Sequence, residues 1–432
     1  LKAVILAAGR GERLQPITDT RPKPLIPIAG KTLLQRTLEK LAEIGVDEAI
    51  IVGSYMINAL RNAVKGYEGR PHVRLVDQGE PLGTGHALKA ASSLIDEDFL
   101  LIYGDLMVEK PALLKVSSSK HDVIVGAIRV EEPWRYGVLV VDDQGRLINI
   151  VEKPPRGEEP SNLVNAGVYR LTPEILDFLD TLKPSPRGEL ELTDALAMMA
   201  REREVRVVEL DRDEWFEIGY PWDLLDAAKR ILGGLRGRVV EGEVEPGARL
   251  KGPVYVAPNA IIRSGAYIKG PVYVGEGSEV GPNCYVRGPT IIERDVRIGN
   301  AVEVKASMVL EHSRISHLSY VGDSVVGEHV NLGAGTITAN LRFDDKDVKV
   351  RVKGQVVSSG RRKLGAFIGG YVKTGINVSI LPGVKIGAYS WIIPGSVVVA
   401  DVPPKSIYKS RGYRSYEVKP LRLDSEQILK EE

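Results

Sequence analysis

Near its start the chain runs Leu6-Ala7-Ala8-Gly9-Arg10-Gly11-Glu12-Arg13-Leu14, an apolar stretch that opens into small residues and two glycines. Small residues let a backbone approach a phosphate chain closely, and exposed N–H groups then cradle its oxygens. Arg13, and Lys23 within Arg21-Pro22-Lys23-Pro24, supply the charge a polyphosphate needs. The spacing is neither a Walker loop nor G-x-G-x-x-G, so both common phosphate signatures fail. Alone, such a loop is a tight turn as often as a phosphate site. A second group lies far along the chain. His317-Leu318-Ser319-Tyr320 precedes Asn331-Leu332-Gly333-Ala334-Gly335 and then Asn340. A lone histidine is more often a surface or capped residue than a catalyst, but this one does not stand alone. Its unperturbed pKa suits a base near neutral pH.

Two different periodicities must position these groups. In the first half, strands are expected at residues 3–6, 49–52, 73–76, 99–103 and 123–129. Helical patterns fall at 33–44, 87–93, 112–118, 173–182, 193–202 and 222–232, the first with Leu34, Leu38 and Leu41 on one face. This alternation predicts a parallel α/β sheet covered on both faces, Rossmann-like in kind. Gly233-Gly234 stops the last helix. From Val244 every sixth residue is aliphatic: Leu250, Val256, Ile262, Ile268, Val274, Val280, Val286, Ile292, Ile298, Val304 and Leu310. Neither a helix of period 3.6 nor a strand of period two repeats that way. A hexapeptide repeat is the mark of a β-solenoid, each unit forming one flat side of a coil. The lattice slips by one to Ile315 and Val321 and returns at Leu332. A charged stretch at 341–365 breaks it, and it resumes at Ile368, Ile380, Ile386, Ile392 and Val398. That insertion is expected to be a loop thrown off one corner, where binding groups are often placed.

Composition narrows the class. With 432 residues, 27% charged and 43% apolar, the chain is long enough for two or three soluble domains and too apolar for disorder. A net charge of +1 gives no global field to recruit nucleic acid or a membrane. The single cysteine, Cys284, excludes an internal disulfide and a cysteine-built zinc site. No apolar run reaches the ~18 residues of a membrane span, so a cytoplasmic protein is expected.

The first half resembles the sugar-1-phosphate nucleotidylyltransferases. Their opening pattern, L-A-A-G-x-G-x-R-L followed by P-K-P, is matched by residues 6–14 and 22–24. Further matches follow in order: Gln78 with Gly83-Thr84-Gly85-His86, Tyr103-Gly104-Asp105, Tyr136-Gly137, Glu152-Lys153-Pro154 and Asn165-Ala166-Gly167. The resemblance implies that the early loop and Gln78 hold the base and that Lys23 contacts phosphate. It implies that Gly137, Glu152 and Asn165 hold the sugar and that Asp105 binds Mg²⁺. Many relatives carry the second metal carboxylate in a D-x-G pattern. Here Glu217 in Glu217-Ile218-Gly219 is the best match, and Asp223 stays open as the alternative. The chemistry suits these groups. A sugar phosphate is already an oxyanion, so its attack on a nucleoside triphosphate needs in-line positioning and charge neutralisation rather than a base.

The stretch around His317 resembles the acetyltransferase domain of the bifunctional glucosamine-1-phosphate N-acetyltransferase / N-acetylglucosamine-1-phosphate uridylyltransferases. That family has a left-handed parallel β-helix and works as a trimer. The match runs back to Arg287 and Lys305, which correspond to basic residues that grip the sugar phosphate, and forward to Asn331, Asn340, Lys346 and Lys349. Leu341 stands where many relatives have tyrosine, and the 341–365 insertion is longer and more basic than theirs. Moving an acetyl group from a thioester to an amine needs a base, here His317, and a donor for the oxyanion, here the N–H of Ala334. Tyr320 is placed to contact the sugar. Arg361-Arg362-Lys363 and Arg411 offer charge for the phosphates of acetyl-CoA, or form a solvated basic face.

These matches divide the chain into a nucleotidylyltransferase domain (1–232), a linker (233–243), a β-helix (244–412) and a charged tail (413–432). The expected enzyme acetylates an amino-sugar 1-phosphate and couples the product to UTP or dTTP, with Mg²⁺, as a homotrimer. The alternatives are a nucleotidylyltransferase whose β-helix only oligomerises, and a scaffold that keeps both folds without catalysis.

Overall fold

The computed structural model describes residues 1–185, 188–410 and 416–420. The chain forms two compact units. One holds Leu1–Arg10, Pro22–Ile26 and Thr32–Glu217; the other holds Gly11–Arg21, Pro27–Lys31 and the chain from Ile218 onward.

In the first unit, Lys2–Leu6 lies between Glu48–Gly53 and Phe99–Tyr103, parallel to both, with His72–Asp77 parallel beyond Glu48–Gly53. Successive residues of the first strand enter different cores. Val4 and Leu6 pack with Ile50 and Val52 on one face, while Ala3 and Ile5 pack with Ala49 and Ile51 on the other. A strand buried on both faces has to be apolar throughout, as this one is. The helix Leu33–Glu43 begins with a capping box between Thr32 and Gln35 and buries Leu34, Leu38 and Leu41.

The sheet is mixed rather than wholly parallel. Leu163–Leu171 runs antiparallel to Phe99–Tyr103 and Val123–Arg129, and Gly137–Val141 pairs antiparallel with Leu147–Glu152. Antiparallel neighbours need only a short turn, whereas parallel ones need a crossover. The Asp142 carboxylate accepts the N–H groups of Gln144 and Arg146 at 2.9 and 2.8 Å and makes that turn. Sequence reading also passed over the helix Ile57–Lys65.

The second unit is a left-handed parallel β-helix with three flat sides. Val254–Val256, Val272–Val274 and Thr290–Ile292 stack on one side. Ile261–Ile262, Glu279–Val280, Arg297–Asn300 and Arg314–His317 stack on the next. Tyr267–Lys269, Tyr285–Arg287, Glu303–Lys305 and Tyr320–Gly322 form the third. Val256, Ile262, Ile268, Val274, Val280 and Val286 point inward and are wholly buried. Each such side chain contributes about 1.5–3 kcal/mol of burial, and the lattice repeats it coil after coil.

The lattice slips earlier than the sequence pattern suggests. Ile292 pairs with Val309, so Val309 takes the inward place expected for Leu310, which is also buried. Both residues are aliphatic, so hydropathy alone does not separate them. The insertion is a hairpin rather than a loop. Lys349–Val352 and Gln355–Ser358 pair antiparallel, and Val348, Val350 and Val352 are buried. Among the described residues, no helix is long and apolar enough to cross a membrane.

Candidate active sites

In the first unit the predicted nucleotide and sugar residues gather at one edge of the sheet. Leu6, Ala7 and Ala8 are buried as the first strand ends, and Gly9 beyond them is exposed. The N–H of Ala7 donates to the Val52 carbonyl, and that of Gly104 to the Leu6 carbonyl, both at 2.8 Å. These bonds fix the loop's start between two neighbouring strands. A Cβ at Gly104 would lie 2.9 Å from the Leu6 oxygen, whereas one at Gly9 would meet nothing within 4 Å. Packing therefore demands the first glycine and not the second. Gln78 is buried, and its amide donates to the Gly83 carbonyl at 3.2 Å and meets His86 Nδ1 at 2.9 Å.

Lys23 is buried, with Nζ 3.1 Å from Asp105 Oδ2. Leu106–Val108 pairs antiparallel with Trp215–Glu217, and this ladder sets Glu217 opposite Leu106, the residue after Asp105. The Trp215 indole anchors that strand by donating to the Ala166 carbonyl at 2.7 Å. Asp105 thus lies beside a lysine, and Glu217 sits on the strand paired with the residue that follows it. Among the described residues no group of three or more His, Cys, Asp or Glu side chains forms a metal cage. Asp223 has a different task, because its Oδ2 accepts the N–H groups of Gly219 and Tyr220 at 2.8 and 2.6 Å.

Glu152 faces Gly137 across the Gly137–Val141/Leu147–Glu152 ladder. A Cβ on Gly137 would sit 2.8 Å from Glu152 Oε2, so that carboxylate needs a glycine opposite. Thr193 Oγ1 donates to the same oxygen at 3.3 Å, and Lys153 Nζ lies 3.6 Å from the other. At Asn165 the register breaks: residues 165 to 169 face only Ala127 to Val125 on the neighbouring strand. Such a bulge re-aims a side chain. Asn165 then accepts the Gly167 N–H at 3.0 Å and donates to the Tyr169 hydroxyl. Tyr169 in turn donates to the Tyr103 hydroxyl at 3.0 Å. Burial holds both phenols above their ordinary pKa, so they stay neutral donors. Tyr103 also hydrogen-bonds Thr84. Sequence reading missed Tyr169 and Thr193, whose signal is only their pairing with matched residues.

Arg13 and Gly11 belong to the second unit. Gly11 has φ +65°, and Thr18 Oγ1 closes the turn on the Gly11 carbonyl at 2.8 Å. The Arg13 guanidinium lies 5.5 Å from the centre of the Tyr220 ring, which stacks on Trp222 at 4.6 Å.

On the solenoid, register aligns the remaining groups. Arg287 is directly beside Lys305, and Tyr320 lies beside Glu303 on the same side. Arg287 donates to Glu303 at 2.7 Å. Lys305 donates to Asp323 at 2.7 Å, and Asn340 donates to both Asp323 and the Tyr320 hydroxyl, at 2.6 and 3.1 Å. Burial, followed by the charges of Asp323 and Glu303, raises the Tyr320 pKa and keeps the phenol neutral. His317 ends the strand Arg314–His317 and is exposed, and its ring makes no hydrogen bond or ion pair among the described residues. Asn331 follows on the next coil, beside Arg314. The Ala334 carbonyl accepts the Asn377 N–H at 2.8 Å, while its own N–H makes no hydrogen bond among the described residues. Lys346 and Lys349 lie exposed on the insertion and are not bonded to the rest of the set.

The nucleotidyl transferase family matches residues 2–233, and the GMPPB C-terminal domain family matches residues 268–362. The bifunctional sugar-1-phosphate nucleotidylyltransferase/acetyltransferase of Sulfurisphaera tokodaii is 48% identical over 412 residues, 95% of this chain and 100% of that one. The bifunctional GlmU proteins of Methanocaldococcus jannaschii and Methanococcus maripaludis are 42% and 46% identical, over 95% of this chain and 98% and 97% of theirs. The chain belongs to this bifunctional nucleotidylyltransferase/acetyltransferase family. It is an enzyme with both transferase activities, which sets aside the single-activity and scaffold alternatives.

Within a family defined by both activities, Asp323 and Glu303 stand out as residues that sequence reading left without a role. They orient Lys305 and Arg287. The basic cluster of the insertion is engaged elsewhere: Arg361 pairs with Asp226, and Arg362 with Asp345 at 2.7 Å. Arg411 lies outside the described residues.

Proposed function

We propose that this enzyme acetylates glucosamine-1-phosphate, or galactosamine-1-phosphate, with acetyl-CoA and then joins the product to UTP, releasing pyrophosphate. The observation that carries the acyl half is the Lys305–Asp323–Asn340–Tyr320 network, whose Tyr320 lies three residues after the exposed His317. A coil built only to pack has no use for it. In this reading Arg287 and Lys305 hold the sugar phosphate, and Tyr320, Asn331, Asn340, Lys346 and Lys349 hold the rest of the acceptor. His317 removes a proton from the amine as the C–N bond forms, and the Ala334 N–H steadies the thioester oxygen until the C–S bond breaks.

For the nucleotidylyl half, Leu6, Ala7, Ala8, Gly9, Gly11, Gln78, Gly83 and Thr84 hold the nucleotide. Tyr103, Gly104, Gly137, Glu152, Lys153 and Asn165 hold the sugar. Lys23 and Arg13 neutralise the leaving pyrophosphate. Asp105 and Glu217 are hard oxygen donors of the kind that hold Mg²⁺ together with substrate phosphates. When bound, Mg²⁺ would screen the phosphate charge. The two bonds from the Gly219 and Tyr220 amides commit Asp223 to its own turn and favour Glu217 as the second carboxylate. We assign the nucleotidylyl reaction to residues 1–232 and the acyl reaction to 244–412, with 233–243 as linker, 413–432 as tail, and a cytoplasmic homotrimer as the working form.

A substrate panel tests this reading. UTP and dTTP are each offered with sugar 1-phosphates, and acetyl-CoA with amino-sugar 1-phosphates, with and without chelator, while light scattering gives the mass. Thiol release with an amino sugar, chelator-sensitive pyrophosphate release and three times the chain mass are expected. Acetylation of no amino-sugar 1-phosphate would contradict the acyl half, chelator-resistant transfer the Mg²⁺ assignment, and a monomer the trimer.

A further inference from the structure

The segment Gly11–Arg21 carries Arg13 and leads into Lys23 two residues later, yet it packs with the solenoid. Its hold is built from charge. The Arg21 guanidinium is only 13% exposed and lies 2.9 Å from a Glu311 oxygen and 3.1 Å from a Glu328 oxygen, with Glu328 6% exposed. Those glutamates sit on consecutive coils, because the N–H of His329 donates to the Glu311 carbonyl. Burial acts to lower the Arg21 pKa, but the charges of Glu328 and Glu311 outweigh it and keep the guanidinium protonated. The segment continues along the same column. Glu328, Gly370 and Ala388 follow on successive coils, since Tyr371 and Tyr389 donate to the carbonyls of Glu328 and Gly370. A Cβ on Gly370 would lie 2.7 Å from the Glu328 carboxyl and 2.9 Å from Thr20 Oγ1, so the column leaves room for the segment only with glycine there. Asp19 accepts the Ala388 N–H at 3.2 Å, and Glu12 pairs with Lys353 of the insertion at 2.7 Å.

We propose that Arg21 is a positioning residue for nucleotidylyl transfer: forked between Glu311 and Glu328, it fixes the conformation of the segment that bears Arg13 and runs into Lys23. A planar fork spans two carboxylates on adjacent coils in a way a point charge does not. The proposal rests on the assignment of Arg13 and Lys23 to the nucleoside triphosphate. It extends that assignment to residues that touch no substrate, two of them about three hundred positions further on.

Arg21→Met alone strands the buried Glu328 carboxylate and the partly buried one of Glu311, and risks the fold. The decisive variant is therefore the neutral triple Arg21→Met/Glu311→Gln/Glu328→Gln, with Arg21→Lys as the conservative partner. Both turnover rates are measured on one full-length preparation, and the readout is the ratio of nucleotidylyl to acetyl transfer, which cancels the folded fraction. The triple variant should lower that ratio about tenfold or more, with a higher KM for the triphosphate and an unchanged KM for the amino-sugar phosphate; Arg21→Lys should recover part of it. An unchanged ratio, whether both rates hold or fall together, would overturn the proposal and leave Arg21 a structural ion pair. No nucleotidylyl transfer by the wild type would instead overturn the functional reading beneath it.

Discussion

A base that acts on a diffusing substrate must be reached by it, and His317 is exposed at the end of its strand with no side-chain partner among the described residues. The proposed acceptor-binding groups are the reverse. Lys305, Asp323, Asn340 and Tyr320 are bonded to one another and hold a fixed outline against which an amino sugar can be placed. The division predicts a clean result for His317→Ala. Acetyl transfer should fall by a factor on the order of 10²–10⁴, the usual cost of losing a positioned base. Stability should stay within about 0.5 kcal/mol, because an exposed side chain without partners holds nothing in place. Rate and melting temperature on one preparation check both parts. A well-folded variant with undiminished acetylation would reject the base assignment, and a large loss of stability would mean that the ring packs in a corner.

At the scale of elements, the proposed sugar side of the first unit depends on two local irregularities: Gly137 opposite Glu152, and the bulge at Asn165. Gly137→Ala would drive a methyl to 2.8 Å from Glu152 Oε2 and push the carboxylate aside. The KM for the sugar 1-phosphate should rise about tenfold, equivalent to about 1.4 kcal/mol, with acetyl transfer unaffected. An unchanged KM would show that Glu152 does not hold the sugar. Apolar runs made the central strands legible from sequence, and the six-residue lattice did the same for the solenoid. The antiparallel strands from Gly137 to Leu171 were not legible, because alternation with helices points to crossovers and hides a hairpin turned by Asp142. The slip at Val309 was obscured because Leu310 next to it is equally aliphatic. Most of the candidate nucleotidylyl set stood in recognisable motifs. The Asp323 and Tyr169 contacts did not, and the Arg21–Glu311 pair joins residues 290 apart, a separation that no local pattern reports.

For the molecule as a whole, the central claim is that one chain carries two reactions on two kinds of scaffold, with separate demands. The sheet edge sets Asp105 beside Lys23, the proposed phosphate side, and the solenoid carries the proposed base, His317, and the polar network of Lys305, Asp323, Asn340 and Tyr320. A reaction confined to one set should therefore be removable without the other. Asp105→Ala tests this most directly. It removes the carboxylate beside Lys23 and leaves every residue of the solenoid untouched. Both rates are measured on the same folded preparation. Pyrophosphate release from UTP and an N-acetylated sugar 1-phosphate should fall at least about a hundredfold, since charge-stabilising groups at phosphoryl centres are commonly worth that much. Thiol release from acetyl-CoA should remain at the wild-type rate. Full nucleotidylyl activity in the variant, or an equal loss of both reactions, would contradict the account.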